Sequence, residues 1–200
     1  MARPRSASYD DQREQILSAA AALFANRGYT AATMNDVASA CGVSKATLYH
    51  YVRDKHDLLA QISAGHVARL EALVADVSAQ RLAPEAHLRE LIERFMRTYA
   101  HAEHEHRVLT EDVKFLADDE RKAVLEAQRR VVRAFARAVA TLRPELREQQ
   151  LDTPLAMLLF GMINWTFTWL KPSGALTHET LAPVVMDLFL GGLSAVQRVA

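Results

Sequence analysis

The stretch CGVSKATLYHYVRDK, Cys41–Lys55, decides how the rest of the chain is read. Gly42 interrupts one helical run, and Ser44 supplies an N-cap for the next, which extends to about Tyr51. Upstream, Thr33-Met-Asn-Asp36 has the cap chemistry of a short helix through Val37 and Ala40. Earlier still, Ile16, Ala20, Leu23 and Phe24 recur at helical spacing behind a capping box at Asp11-Gln-Arg-Glu14, until Gly28 stops the run. Three short helices with a tight glycine turn between the second and third predict a helix-turn-helix, whose last helix enters the DNA major groove. On that helix Ser44, Lys45, Thr47 and His50 take the outward side, and Val43, Leu48 and Tyr51 pack inward. Hydroxyls and a lysine reach phosphates or base edges, a tyrosine hydroxyl reaches phosphate, and Lys55 stands where it can hold a neighbouring phosphate. The competing reading is a solvated polar helix face.

Bulk charge does not decide between them. Lys plus Arg number 24 and Asp plus Glu number 24. Residues 1–56 carry seven cations (Arg3, Arg5, Arg13, Arg27, Lys45, Arg53, Lys55) against five anions (Asp10, Asp11, Glu14, Asp36, Asp54), so a nucleic-acid partner rests on placement. Cys41 is the single cysteine, which excludes an intrachain disulfide and fits a reducing cytoplasm. The basic opening has no apolar run behind it, and Leu155–Leu170, with Asn164, Thr166 and Thr168 inside it, falls short of the roughly 20 residues of a membrane span. No membrane partner is expected.

Helical periodicity continues through the chain. A long fourth helix starts at Asp54 and fades near Gln80. Pro84 opens a fifth, and a sixth covers about 104–117. A seventh runs from about 119 to 142 and ends at Pro144. An eighth spans Asp152 to Leu170, and a ninth runs from about His178 to Val199. The fold class is therefore all-α with about nine helices: a flexible arm at 1–9, a helix-turn-helix domain at 10–55, and a helical domain at 56–200.

Arg27 to Leu59, RGYTAATMNDVASACGVSKATLYHYVRDKHDLL, resembles the DNA-binding domain of the tetracycline-repressor (TetR) family, including its Gly-Val-Ser-Lys turn and Leu-Tyr-His-Tyr block. Val52 stands where that family usually has Phe. By position, the resemblance implies that Thr33, Ser44, Tyr49, His50 and Lys55 contact the DNA backbone and that Lys45, Ala46 and Thr47 read bases. Arg3 and Arg5 are candidates for a minor-groove arm, or belong to a disordered tail.

One such helix reads too few base pairs, so a palindromic operator and a homodimer are expected. The segments PLAMLLFGMINWTFTWL and LAPVVMDLFLGGLSAV are apolar nearly all round, which calls for cover on every side: a partner copy, or a fully buried position in a monomer. The resemblance implies a two-fold interface from the last two helices, with Met157, Gly161, Leu188, Gly191, Gly192 and Val196 its candidates. Phe95, Tyr99, Phe115, Phe135, Phe160, Trp165 and Trp169, with Asn164 and Thr168 as polar anchors, are candidates to line an effector cavity, or simply to form core. Asn164–Thr177 is similar to TetR regulators that sense acyl-coenzyme A (acyl-CoA) thioesters, and with the Arg107–Arg121 neighbourhood the chain looks closest to repressors of phenylacetate degradation. Arg130, Arg133 and Arg137 share one helix face and are candidates for the thioester's phosphates, or for an exposed face paired with Glu126.

The expected function is a ligand-responsive repressor that leaves its operator when effector selects a state with a displaced fourth helix. A regulator responding to a non-CoA hydrophobic or aromatic compound, such as an efflux substrate, is the alternative, and a metal- or CoA-binding helical protein without DNA is a reading of another class. His101–His106, HAEHEH, carries one Glu-x-x-His pair where a di-iron bundle needs two, no nucleophile motif is present, and neither a cofactor, a metal nor an enzymatic activity is expected.

Overall fold

Caps and left-handed glycines cut the described residues of the computed structural model, 7–170 and 174–197, into helices alone. They are α1 (Ala7–Arg27), α2 (Met34–Ala40), α3 (Lys45–Tyr49), α4 (Lys55–Ala79), α5 (Pro84–His101), α6 (Glu103–Glu111), α7 (Asp118–Leu142), α8 (Pro144–Glu148), α9 (Asp152–Asn164) and α10 (His178–Ala195), with single 3-10 turns at Val113–Phe115 and Thr166–Thr168.

Local chemistry accounts for most boundaries. Gly28 and Gly42 have φ of 84° and 65°, a left-handed conformation that a Cβ would strain, and the Val43 N–H returns to the Ala38 carbonyl (3.0 Å) to close the α2 terminus. Thr33 and Asp36 form the capping box of α2, and Ser44 Oγ caps α3 by accepting the Thr47 N–H at 3.0 Å.

Five boundaries depart from the sequence reading, the first being the expected sixth helix at 104–117, which ends as α6 at Glu111 and gives way to the 3-10 turn Val113–Phe115. α1 begins at Ala7, which shortens the expected arm and leaves Asp11–Glu14 inside the helix. No helix breaker lies between Ala7 and Asp11, and Tyr9 gains tertiary partners by being helical: its ring stacks on Tyr51 (4.7 Å), and its hydroxyl donates to the His50 carbonyl (3.4 Å). Arg3 and Arg5 lie outside the described residues. Pro144 is the first residue of an additional short helix, α8, which raises the count to ten; its missing N–H costs nothing at that position. α9 stops at Asn164 rather than Leu170, because Thr166 and Thr168 donate to the Ile163 and Trp165 carbonyls (2.9 and 2.6 Å) and tighten the chain into a 3-10 turn. α10 stops at Ala195, where the Arg143 guanidinium collects the Leu193, Ser194 and Val196 carbonyls at 2.7–3.1 Å.

The chain groups into two compact units. One contains the chain up to His66 together with His104–Val124; the other contains Val67–Glu103 together with the chain from Leu125 onward. The first unit buries Ile16, Phe24, Val37, Leu48, Leu58 and Leu59, and Val52 is buried with them, so the smaller side chain is accommodated there. In the second, Leu88, Leu91 and Phe95 of α5, Val131, Phe135 and Val139 of α7, Leu159, Phe160 and Ile163 of α9, and Val185, Phe189 and Leu193 of α10 make one core. Among the described residues, no helix is long and apolar enough to cross a membrane.

His178 opens α10 inside this second unit. Thr166 Oγ1 donates to Ile163 and so accepts from His178 Nε2 at 3.1 Å. Burial lowers the imidazole pKa, a shift that Glu103 only partly opposes. A histidine with a depressed folded pKa contributes stability that is complete above its unfolded value of about 6.5 and declines as pH falls through that value. Thermal melts of the wild type and His178→Gln at pH 7, 6 and 5 are expected to converge as pH falls. A gap that widens toward pH 5 contradicts the burial of a neutral ring.

Candidate nucleic-acid interface and effector site

The first unit presents a polar face built on α2 and α3. Lys45, Ala46, Tyr49 and His50 are exposed and Thr47 is half-buried, while Leu48 anchors the helix from the other side with no exposed surface. Tyr49 keeps 45% of its surface open. Ser44 Oγ, besides capping, meets Thr47 Oγ1 at 2.8 Å, so these two hydroxyls also order the turn. Thr33 is exposed; its hydroxyl and N–H both donate to Asp36 (2.6 and 2.9 Å), and with Arg27 at 3.3 Å they hold that carboxyl below its usual range. Tyr9, which sequence reading leaves in the arm, fixes the C-terminal end of α3 through Tyr51 and the His50 carbonyl. Its only sequence signal is an aromatic residue beside a polar segment.

Lys55 is placed differently from the other members of this set. Its ammonium donates to the carbonyls of Tyr29 (2.9 Å), Thr30 (3.3 Å) and Ala32 (2.9 Å), and it lies 4.5 Å from the centre of the Tyr29 ring. All three protons are thereby engaged in tying the start of α4 to the α1–α2 turn. Tyr29 in turn contacts His56 Nδ1 at 3.1 Å and stacks on Phe115 (5.2 Å), and burial with the nearby Asp54, Asp112 and Glu120 carboxylates raises its pKa. Lys55→Ala is expected to lower stability by about 2 kcal/mol, from the loss of charge-assisted hydrogen bonds. A melting temperature equal to wild type, measured calorimetrically, excludes this locking role.

The second unit gathers only part of the aromatic set. Phe95, Phe135 and Phe160 are buried and meet edge to face, with centroids 4.8 Å apart for Phe95–Phe135 and Phe135–Phe160. Tyr99 joins Phe95 at 6.0 Å and donates its hydroxyl to Asn164 Oδ1 (2.9 Å); burial pushes its pKa well above the normal range. Phe115 is not with them, since it stacks on Tyr29 in the first unit. Trp165 and Trp169 are more than half exposed, and Thr168 bonds its own turn. Of the three arginines of α7, Arg130 is held by Glu71 across two contacts (2.5 and 3.2 Å), and Arg133 and Arg137 are exposed.

Met157, Leu158 and Gly161 of α9, Trp165 just after it, and Val184, Leu188, Gly191 and Gly192 of α10 lie on exposed surface, with Leu188 at 64% and Leu158 at 65%; Val196 is half-buried beyond the helix end. In the HAEHEH segment, His101 and His104 are exposed, whereas His106 turns inward, its ring centre 5.6 Å from that of the buried His66. Among the described residues no group of three His, Cys, Asp or Glu is arranged to hold a metal ion.

Residues 16–62 match the family model of bacterial regulatory proteins, tetR family, and residues 81–193, more than half of the chain, match the tetracyclin repressor-like C-terminal domain. The chain belongs to the TetR family. TetR proteins are transcriptional regulators and not enzymes, and all the residues of the α2–α3 face fall within the N-terminal match. A TetR-family transcriptional regulator from Bordetella parapertussis, known as a crystal structure, is 33% identical, with a TM-score of 0.85 over 94% of this chain and 98% of its own. The HTH-type transcriptional repressor KstR2 of Mycobacterium tuberculosis is 26% identical over 193 residues, which cover 92% of this chain and 94% of that protein. AibR, solved as a crystal structure in complex with isovaleryl coenzyme A and operator DNA, is 26% identical, with a TM-score of 0.74 over 88% of this chain and 97% of its own.

Proposed function

We propose that this TetR protein is a ligand-responsive transcriptional repressor that binds palindromic operator DNA as a homodimer and is released by an acyl-CoA thioester of a catabolic pathway, phenylacetyl-CoA or a fatty acyl-CoA. The observation that carries the DNA part is the exposed Lys45, Ala46, Tyr49 and His50 on a helix whose opposite side is buried. Base edges and phosphates are read by side chains of this kind. The open apolar stripe of α9 and α10 supports a second copy as the partner, since stripes of this composition seldom stay in water.

The effector class is supported by the likeness of Asn164–Thr177 to thioester-sensing regulators, by KstR2 being a repressor and by AibR holding isovaleryl coenzyme A. The acyl or aryl group is assigned to the Phe95–Phe135–Phe160 cluster, which has to open to admit it, because Phe95 and Phe135 have no exposed surface and the rings are in edge-to-face contact. Thioester binding selects a dimer state in which α4 is displaced and the two recognition helices no longer match operator spacing. The thioester's preference for that state equals the loss in operator affinity. A gel shift on the DNA upstream of the protein's own gene tests the reading, with phenylacetyl-CoA, a long-chain acyl-CoA or the matching free acid added. Release by one thioester and not by its acid is the expected result. Release by a free aromatic acid favours a non-CoA effector, and a shift indifferent to every addition removes the thioester.

A further inference from the structure

An acyl-CoA thioester has a second end, and the aromatic cluster offers nothing to its phosphates. Several arginines of the second unit are matched by carboxylates, Arg89 with Glu85 and Asp187, Arg94 with Asp76 and Glu90, Arg97 with Glu93, and Arg130 with Glu71, whereas Arg129, Arg133 and Arg147 show no such ion pair among the described residues. Arg81 and Arg137 have no carboxylate partner among the described residues, and both line one cleft. With Ser78, Pro84, His87 and Thr141 they surround about 260 Å³ where the α4–α5 turn meets the last turns of α7, and no acidic residue contributes to the lining.

We propose that this cleft holds the phosphate end of the effector, an inference that rests on the acyl-CoA reading above. Its volume falls below the roughly 300–1,000 Å³ of pockets that enclose a whole ligand, which suits one end of a long molecule. Its cationic and donor chemistry is that of an anion site, two guanidinium groups and an imidazole, whereas the Ser78 and Thr141 hydroxyls donate to the Val74 and Arg137 carbonyls of their own helices. Arg81 is held at φ 52°, a left-handed conformation that glycine adopts more readily, yet an arginine occupies the position. The spacing along α5 also suits a two-ended ligand. His87 and Phe95 are eight residues apart, about 12 Å along the helix axis, and on α7 the cleft residue Ala134 adjoins Phe135. A ligand with its phosphates in the cleft has about 12 Å of α5 to follow to the aromatic cluster. Arg137 belongs to this arrangement, while Arg130 is occupied by Glu71.

Calorimetric titration of the full-length protein with phenylacetyl-CoA and with S-phenylacetyl-pantetheine, which lacks the nucleotide phosphates, isolates the contribution of that end. The wild type is expected to bind the CoA thioester about 10-fold more tightly at 0.1 M salt, with the gap narrowing at 0.5 M as screening grows. In Arg81→Gln/Arg137→Gln the two ligands are expected to bind alike. A gap that persists in the double variant, or no gap in the wild type, overturns the proposal. If neither thioester binds, the acyl-CoA reading falls, and titration with coenzyme A alone decides the cleft: binding that the double variant loses sustains a phosphate site, and no binding removes it.

Discussion

Leu188→Asp is expected to split the proposed homodimer and, with it, to abolish operator binding. Leu188 is 64% exposed within the chain, so its removal disturbs little of the core. It lies on the same open stripe as Val184 and Gly191 of α10 and Met157 and Leu158 of α9. In a two-fold interface each substitution occurs twice, which sets two carboxylates into apolar contact, and unpaired charge there costs several kcal/mol. Sedimentation should report the single-chain mass of 22.3 kDa, with an unchanged circular dichroism spectrum. A variant that remains dimeric places the interface on another surface.

The second large effect is on stability. Phe135 has no exposed surface and meets both Phe95 and Phe160 at 4.8 Å, so Phe135→Ala leaves a cavity ringed by aromatic edges. Such truncations cost about 3–5 kcal/mol, which for a chain of this size lowers the melting temperature by on the order of 10 °C. An apolar cavity of this kind stays dry and admits small aromatic molecules, so benzene should restore part of the loss. A fall of less than about 1 kcal/mol would mean that the cluster is loosely packed and collapses without strain.

The helix-turn-helix is legible in the sequence because its determinants are local. Thr33 with Asp36, Ser44 with Thr47, and the left-handed Gly28 and Gly42 act within a few residues of themselves. What the sequence withholds is tertiary. Nothing in the spacing around Phe115 announces that residues 104–124 group with the N-terminal helices, and that grouping takes Phe115 to Tyr29 and away from Phe95. Lys55 reads as a phosphate ligand because its helical position is exposed in principle; the three carbonyls that engage it come from a turn more than twenty residues earlier. The aromatic run at Asn164–Trp169 reads as one lining, yet two threonine hydroxyls reshape it into a 3-10 turn that leaves both tryptophans on the surface. Arg81 carries no motif at all, and only its neighbours in space give it a candidate role.

The central claim, that the α2–α3 face binds operator DNA, is tested most directly by fluorescence anisotropy on the DNA upstream of the protein's own gene, comparing wild type with Lys45→Ala/Tyr49→Ala. Each lost contact costs about 1–3 kcal/mol and is lost twice in a dimer, so affinity should fall by at least about 100-fold. The melting temperature should stay unchanged, because both side chains are exposed. Equal affinity of the two proteins for that DNA would contradict the claim.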